Sequence, residues 1–183
     1  MKRRERVIDE LLVLRCQEGD AEAFDELVGR WQERLWRHAW RLTSSRDAAW
    51  DACQEAWMTV SRDIRGLKDA AAFPTWAYRI ISNRCHDWIR KESRRRRVDE
   101  AYAEQAKRVE NENRGAQQRS ADLHEALSRL PGRDRAILAL RYEEEFGVAE
   151  IAKIVRIPPG TVKSRLYYAR NRLRQYLEEP SDE

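Results

Sequence analysis

Residues 161 to 172, TVKSRLYYARNR, mix hydroxyls, phenols and an amide with cations, a combination suited to nucleic acid. Neutral polar groups can exchange hydrogen bonds with base edges, while guanidinium and ammonium groups neutralise phosphates. On a helix, Ser164, Tyr167, Tyr168 and Asn171 share one outward strip, flanked by Lys163, Arg165, Arg170, Arg172 and Arg174. Val162, Leu166, Ala169, Leu173 and Leu177 recur at three-and-four spacing on the other side, which predicts a buried stripe. Gly160 and Thr161 open this helix, Thr161 as its expected N-cap, where a phosphate could meet free backbone donors. Pro158 and Pro159 end a preceding helix expected over Ala149 to Val155, whose Ile151, Ala152 and Val155 face the contact. Two helices joined by a sharp turn, the second studded with cations, form a DNA-reading shape.

A second set of residues invites different chemistry. Asp47, Asp51 and Glu55 place three carboxylates on one helix face, as a metal-dependent nuclease requires. Successive carboxylates at this spacing also make a solvated acidic surface or a protein contact, and the FPTWAYRI segment supplies no companion acids. No glycine-rich phosphate loop or nucleophile elbow is present. Cys16, Cys53 and Cys85 are widely spaced among apolar helix positions and read as reduced core thiols. A zinc site from Cys53, Cys85, His86 and His38 lacks any supporting C-x-x-C or H-x-x-x-H spacing. No cofactor is expected.

The elements that position these residues are helical. The 183 residues suit one or two small domains, and helix-period patterns run through most of the chain without sustained alternation. The fold class is therefore all-α: two small helical domains joined by a polar linker, the C-terminal one a helix-turn-helix. With 36 Lys and Arg against 32 Asp and Glu, the net charge of +4 is modest, so only its placement is informative. No apolar run approaches a membrane span, and MKRRER leads into an amphipathic pattern, so no membrane insertion and a cytoplasmic location are expected.

All seven tryptophans lie at or before Trp88, an asymmetry that predicts two separate cores. Residues 93–120 carry almost no large apolar side chain beyond Val98, Tyr102 and Val109, and read as the linker between domains at 1–92 and 121–183. Asn111 to Gly115 should interrupt any helix there, and Arg94 to Arg97 form a cationic collar. In the first domain, a helix carries Ile8, Leu11, Leu12 and Cys16. Asp20 caps the next, whose stripe is Phe24, Leu27, Val28, Trp31 and Leu35, continued by Ala39 and Leu42. Ser44 with Asp47 resembles a capping box that starts a helix burying Trp50, Cys53, Trp57, Val60 and Ile64 and exposing Asp51, Gln54, Glu55 and Met58. After a loop marked by Gly66 and Asp69, Phe73, Ala77, Ile80, Ile81 and Trp88 build another buried side. Arg79, Ser82, Asn83, His86, Asp87 and Arg90 lie opposite, a set that could hold unpaired bases.

Taken in order, DACQEAW (51–57), FPTWAYRIISNRCHDWIR (73–90), a polar linker, LSRLPGRDRAILALRY (127–142) and IPPGTVKSRLYYARNRLR (157–174) resemble an extracytoplasmic-function sigma factor of the sigma-70 family along nearly the whole chain. The resemblance implies a non-enzymatic factor that binds core RNA polymerase and directs promoter recognition, opening and initiation. It further implies that Asp51, Gln54, Glu55 and Met58 face the polymerase clamp. Trp76, Arg79, Asn83, Arg84, Arg90 and the 66–72 loop would handle the minus-ten strand. Thr161, Lys163, Ser164, Arg165, Tyr167, Tyr168, Asn171 and Arg172 would meet the minus-thirty-five duplex. Whether an anti-sigma protein also binds stays open.

The chain departs from the family's pattern at Trp50 and Ala52, where an acidic and a larger aliphatic residue are common. Its 66–72 loop is long, and Val148 replaces a polar cap. After residue 177 only a short acidic tail is expected, with no fused regulatory domain. The other reading is a helix-turn-helix regulator binding an operator independently of polymerase, usually as a dimer, but no coiled-coil seam supports dimerisation.

Overall fold

The computed structural model describes residues 3–102 and 125–178, and every regular element among them is helical. The helices whose bounds the structure describes are α1 (Arg3–Glu18), α2 (Ala21–Thr43), α3 (Arg46–Asp63), α4 (Phe73–Tyr102), α5 (Gly132–Tyr142), α6 (Val148–Val155) and α7 (Pro159–Glu178), and residues 125–128 are helical as well. Short 3-10 turns at Ile64–Gly66 and Ala70–Ala72 join α3 to α4.

Capping chemistry sets the breaks. Asp20 Oδ1 accepts from the Ala23 N–H at 3.1 Å and starts α2, as its sequence position predicts. The next cap is Ser45, whose Oγ accepts from the Ala48 N–H at 3.3 Å. Ser44, expected in that role with Asp47, instead closes α2 in the left-handed conformation at φ 54°. Asp69 Oδ1 accepts from the Ala71 N–H at 3.0 Å, so the 66–72 loop is a capped turn.

The α2 stripe is as expected: Leu27, Trp31, Leu35 and Ala39 are buried, with Phe24, Val28 and Leu42 partly so. Two other stripes hold most of their expected positions and depart at the edges: Leu12 and Cys16 on α1, and Cys53, Trp57, Val60 and Ile64 around α3, are buried as expected. On α1 the buried positions are Asp9, Leu12, Val13 and Cys16, while Ile8 and Leu11 are exposed. On α3 the small residues Ala49, Ala52, Cys53 and Ala56 occupy the centre of the stripe. Trp50, one residue on from Ala49 and so about 100° round the helix, is 53% exposed rather than buried. Its indole lies on the flank, 5.8 Å from that of Trp36, which in turn stacks on Trp40.

The buried residues form one contiguous cluster rather than the two separate cores that the tryptophan asymmetry suggests. Helix α5 packs on α2, and α6 packs on α4. Three features explain the join. Gly132 sits so close to the end of α2 that a Cβ there would lie 2.4 Å from the Arg41 carbonyl oxygen, so only glycine permits this approach. The N-terminus of α5 thereby meets the carbonyl end of α2, a favourable dipole arrangement. Phe146, between α5 and α6, stands edge-on to Tyr78 of α4 with ring centroids 5.4 Å apart. Around these contacts, the half-buried Arg34 donates through Nε to the buried Glu144 at 3.1 Å, and Arg41 binds Glu143 at 2.7 Å.

Helix α4 runs on across residue 92 to Tyr102, with Arg94 and Arg95 exposed. The expected interruption at Asn111 to Gly115 and the acidic tail beyond Glu178 lie outside the described residues.

Candidate nucleic-acid and protein-binding faces

Helices α6 and α7 form the two-helix motif expected from the sequence. α6 begins at Val148, one residue earlier than expected, because the Glu150 carboxylate accepts from the Gly147 N–H at 2.7 Å; this substitutes for the missing polar side chain at the cap. α6 ends at Arg156, left-handed at φ 53°. Pro159 then opens α7, where its fixed φ suits the first helical position and its missing N–H costs nothing. Thr161 therefore lies inside the first turn and is not the N-cap; its carbonyl accepts from Ser164 Oγ at 3.0 Å.

Val162, Leu166 and Ala169 are buried and Leu173 partly so, but Leu177 is exposed. Tyr176 takes the inward place in the last turn, with the Arg129 guanidinium 5.8 Å from its ring centroid. On the opposite side Lys163, Ser164, Tyr167, Tyr168 and Asn171 are all exposed, the two phenol rings edge-to-face at 5.5 Å. The flanking cations differ in freedom. Arg172 lies 3.8 Å from Asp134 of α5, Arg174 pairs with Glu178, and Arg165 is half-buried. A free outward strip with tethered cations at its edges fits readout of duplex bases bordered by phosphate contacts.

On α3, Asp51, Gln54, Glu55 and Met58 are exposed together, with Met58 at 67%. Beside them a groove of about 700 Å³ runs between α2 and α3, lined by Phe24, Val28, Trp50, Gln54, Trp57 and Met58. Trp57 donates its indole N–H to Gln32 at the groove floor. Sequence reasoning missed Trp50 as part of this surface. Its angular position at the edge of an alanine-centred stripe was the available signal.

On α4, Arg79 is exposed, Asn83 is half-buried, and Trp76 packs partly into the core, 6.2 Å from Phe73. Ser82, expected on the outward side, is fully buried: its Oγ donates to the Tyr78 carbonyl at 2.7 Å and lies 2.8 Å from His38 Nε2. Because Ser82 spends its proton on that carbonyl, His38 must be the donor through Nε2. Burial, followed by the charges of Arg41 and His86, lowers the His38 pKa to about 3, so the ring is neutral. Arg84 reaches back to α3, donating to Thr59 Oγ1 at 3.0 Å with Glu55 3.5 Å away, and Arg90 binds Asp87. Half-buried His86 has its pKa lowered by burial first and then by Arg90, with Arg156 and Arg165 contributing. Arg156, at the turn, and Arg165, on α7, thus lie close to α4.

The metal readings find no support in this arrangement: no cluster of three His, Cys, Asp or Glu side chains among the described residues could hold a metal ion. All three cysteines are buried and free, and burial pushes the Cys53 and Cys85 thiols up to about 12. No described helix is long and apolar enough to cross a membrane.

Comparison with known proteins shows the family. Residues 27–95 match the family described as sigma-70 region 2, and residues 120–173 match sigma-70 region 4. The ECF RNA polymerase sigma-E factor of Haemophilus influenzae is 30% identical over 95% of this chain and 97% of its own length. The RNA polymerase sigma-H factor of Pseudomonas aeruginosa is 31% identical over 93% and 94%. Among solved structures, the sigma factor RpoE of Bartonella quintana, in complex with the anti-sigma factor NepR, superposes with a TM-score of 0.69 at 23% identity, covering 87% of this chain and 99% of that one. CnrH, in complex with the cytosolic domain of CnrY, gives 0.65 at 21% identity over 95% and 99%; at such identities the likeness concerns the fold. The chain belongs to the extracytoplasmic-function sigma factors of the sigma-70 family.

Proposed function

We propose that this sigma factor divides its work among three faces of the described structure. The exposed face of α3, Asp51, Gln54, Glu55 and Met58 with the adjoining groove, binds core RNA polymerase. Residues Trp76, Arg79, Asn83, Arg84 and Arg90 of α4 handle the opened minus-ten strand. The outward strip of α7 reads the minus-thirty-five duplex, with Arg165 and Arg172 on phosphates. The observation that carries this division is the α7 strip: five polar side chains stand exposed on a helix whose opposite side is buried.

In this reading residues 1–92 act as the minus-ten and polymerase domain, residues 121–183 as the minus-thirty-five domain, and 93–120 as the link that lets them reach two elements at a set spacing. An anti-sigma protein belongs among the proposed partners, since the structural neighbour RpoE of Bartonella quintana was captured with one. The protein acts in the cytoplasm, where polymerase is, and catalyses no reaction of its own.

Transcription in vitro with core polymerase over a promoter library tests the assignment. Initiation should require both the chain and a promoter bearing two elements. Strong operator binding by the chain alone, with no polymerase-dependent transcript, would support an independent helix-turn-helix regulator and overturn this reading.

A further inference from the structure

A cavity of about 110 Å³ lies where α1 and the start of α4 face the turn between α5 and α6. Four carboxylates line it, Asp9, Glu10, Glu144 and Glu150, together with the cations Arg6 and Arg34. Most of these charges are already committed. Arg34 serves Glu144, and Glu150 accepts from the Gly147 N–H at 2.7 Å. Asp9 is 2% exposed and accepts from Arg30 Nε at 2.8 Å through Oδ1; among the described residues its buried Oδ2 has no partner. A buried carboxylate oxygen without a donor is the costly kind of polar group, and a polar cavity beside it is where the missing donor belongs.

The chemistry of the walls narrows the occupant. An anion meets the surplus of carboxylates. The acids are too dispersed for a metal ion, since no three among the described residues converge. Phe146, Pro74 and two alanines supply apolar wall on the remaining sides, which suits a short alkyl stem behind a charged head. We propose that this cavity binds a small organic cation carrying N–H donors, a primary ammonium or guanidinium on a short alkyl chain, with Asp9 Oδ2 as its buried acceptor and Glu10 as its outer one. Glu144, Phe146 and Glu150 form one wall and Asp9 and Glu10 another, so the ligand binds only while the α5–α6 turn stays packed on α2 and α4 opposite α1, and by linkage it holds that arrangement. The site does not depend on which faces bind polymerase or promoter.

The test uses the full chain at constant ionic strength, titrated separately with methylammonium, methylguanidinium, tetramethylammonium and sodium chloride while Tm and α1 amide shifts are followed. A saturable rise in Tm with methylammonium or methylguanidinium, absent with tetramethylammonium and sodium, is expected; which of the two acts identifies the head group. Asp9→Asn should abolish saturation. Because that change also removes a partner of Arg30, Glu10→Gln at a half-buried position is the second variant, expected to weaken binding about tenfold, the effect of one charge-assisted hydrogen bond. Equal responses to tetramethylammonium, no saturation with any probe, or undiminished affinity in Glu10→Gln would each overturn the site, leaving water as the occupant.

Discussion

Replacing Gly132 by alanine sets two effects of opposite sign against each other. In an isolated α5 the change is mildly favourable, since alanine exceeds glycine in helix propensity by roughly 0.5–1 kcal/mol in a helix interior and by less at the first position, where Gly132 stands. In the docked arrangement the new Cβ would sit 2.4 Å from the Arg41 carbonyl oxygen and 3.3 Å from that of Leu42. Carbon and carbonyl oxygen normally approach no closer than about 3.3 Å, so backbone must separate from backbone by roughly 1 Å at the point where α5 meets α2. Neither partner is the end of a flexible side chain that could swing away. Overpacking of this kind costs about 1–3 kcal/mol, a shift of roughly 5- to 150-fold in the docked-to-undocked ratio. Arg135 would lose its 3.1 Å hydrogen bond to Ser44, and the Arg41–Glu143 pair would loosen with it. X-ray scattering of the full chain should show a larger radius of gyration for Gly132→Ala, and hydrogen exchange should quicken at the end of α2. An unchanged radius together with a higher Tm would refute the reasoning, because it would mean that only the helix-propensity term operates and the Gly132 contact is not populated in solution.

Four further outcomes are expected. His38 is held neutral in the fold, its pKa about 3 against 6.5 for the free group, so its contribution is fully present above pH 6.5 and is lost as pH falls toward 3. At pH 5 this amounts to roughly 2 kcal/mol, and urea midpoints of His38→Gln should show a shallower acid dependence than those of the parent. Asp51→Lys should weaken core polymerase binding while circular dichroism stays unchanged; Asp51 is the cleaner site because Glu55→Lys would also confront Arg84. Ser164→Ala or Tyr167→Phe should cost about 1–3 kcal/mol at a single promoter position, whereas Arg172→Ala should weaken all promoters alike and lower the salt slope. Asn83→Ala should reduce permanganate reactivity of promoter thymines in the polymerase complex yet spare minus-thirty-five binding, and normal opening with normal base preference would remove Asn83 from the minus-ten face.

What the sequence makes legible is whatever depends on local period and local chemistry. The α2 stripe, the Asp20 cap, the free thiols and the outward strip of α7 each follow from neighbours within about two helical turns, so spacing alone finds them. The misreadings share a different cause. Trp50 is large and apolar, and periodicity alone assigns such a residue inward; where the centre of a stripe is filled by alanines, as at Ala49, Ala52 and Ala56, the largest side chain is left at the edge. Ser82 fails in the converse way: a polar residue on a helix flank reads as solvated until His38, forty-four positions earlier, is found 2.8 Å away. The joining of the two halves was the least legible of all, because its determinants are spread over distant parts of the chain. Gly132 is an ordinary glycine before a helix until Arg41 is brought against it, and Glu144 is one of three consecutive acids until Arg34 singles it out for burial. Local pattern thus sufficed to place the reading strip and the acidic face on their helices. The distance between those faces is set by pairs that no window of sequence contains, and under the proposed function the same pairs must part or persist when the two halves engage promoter elements together.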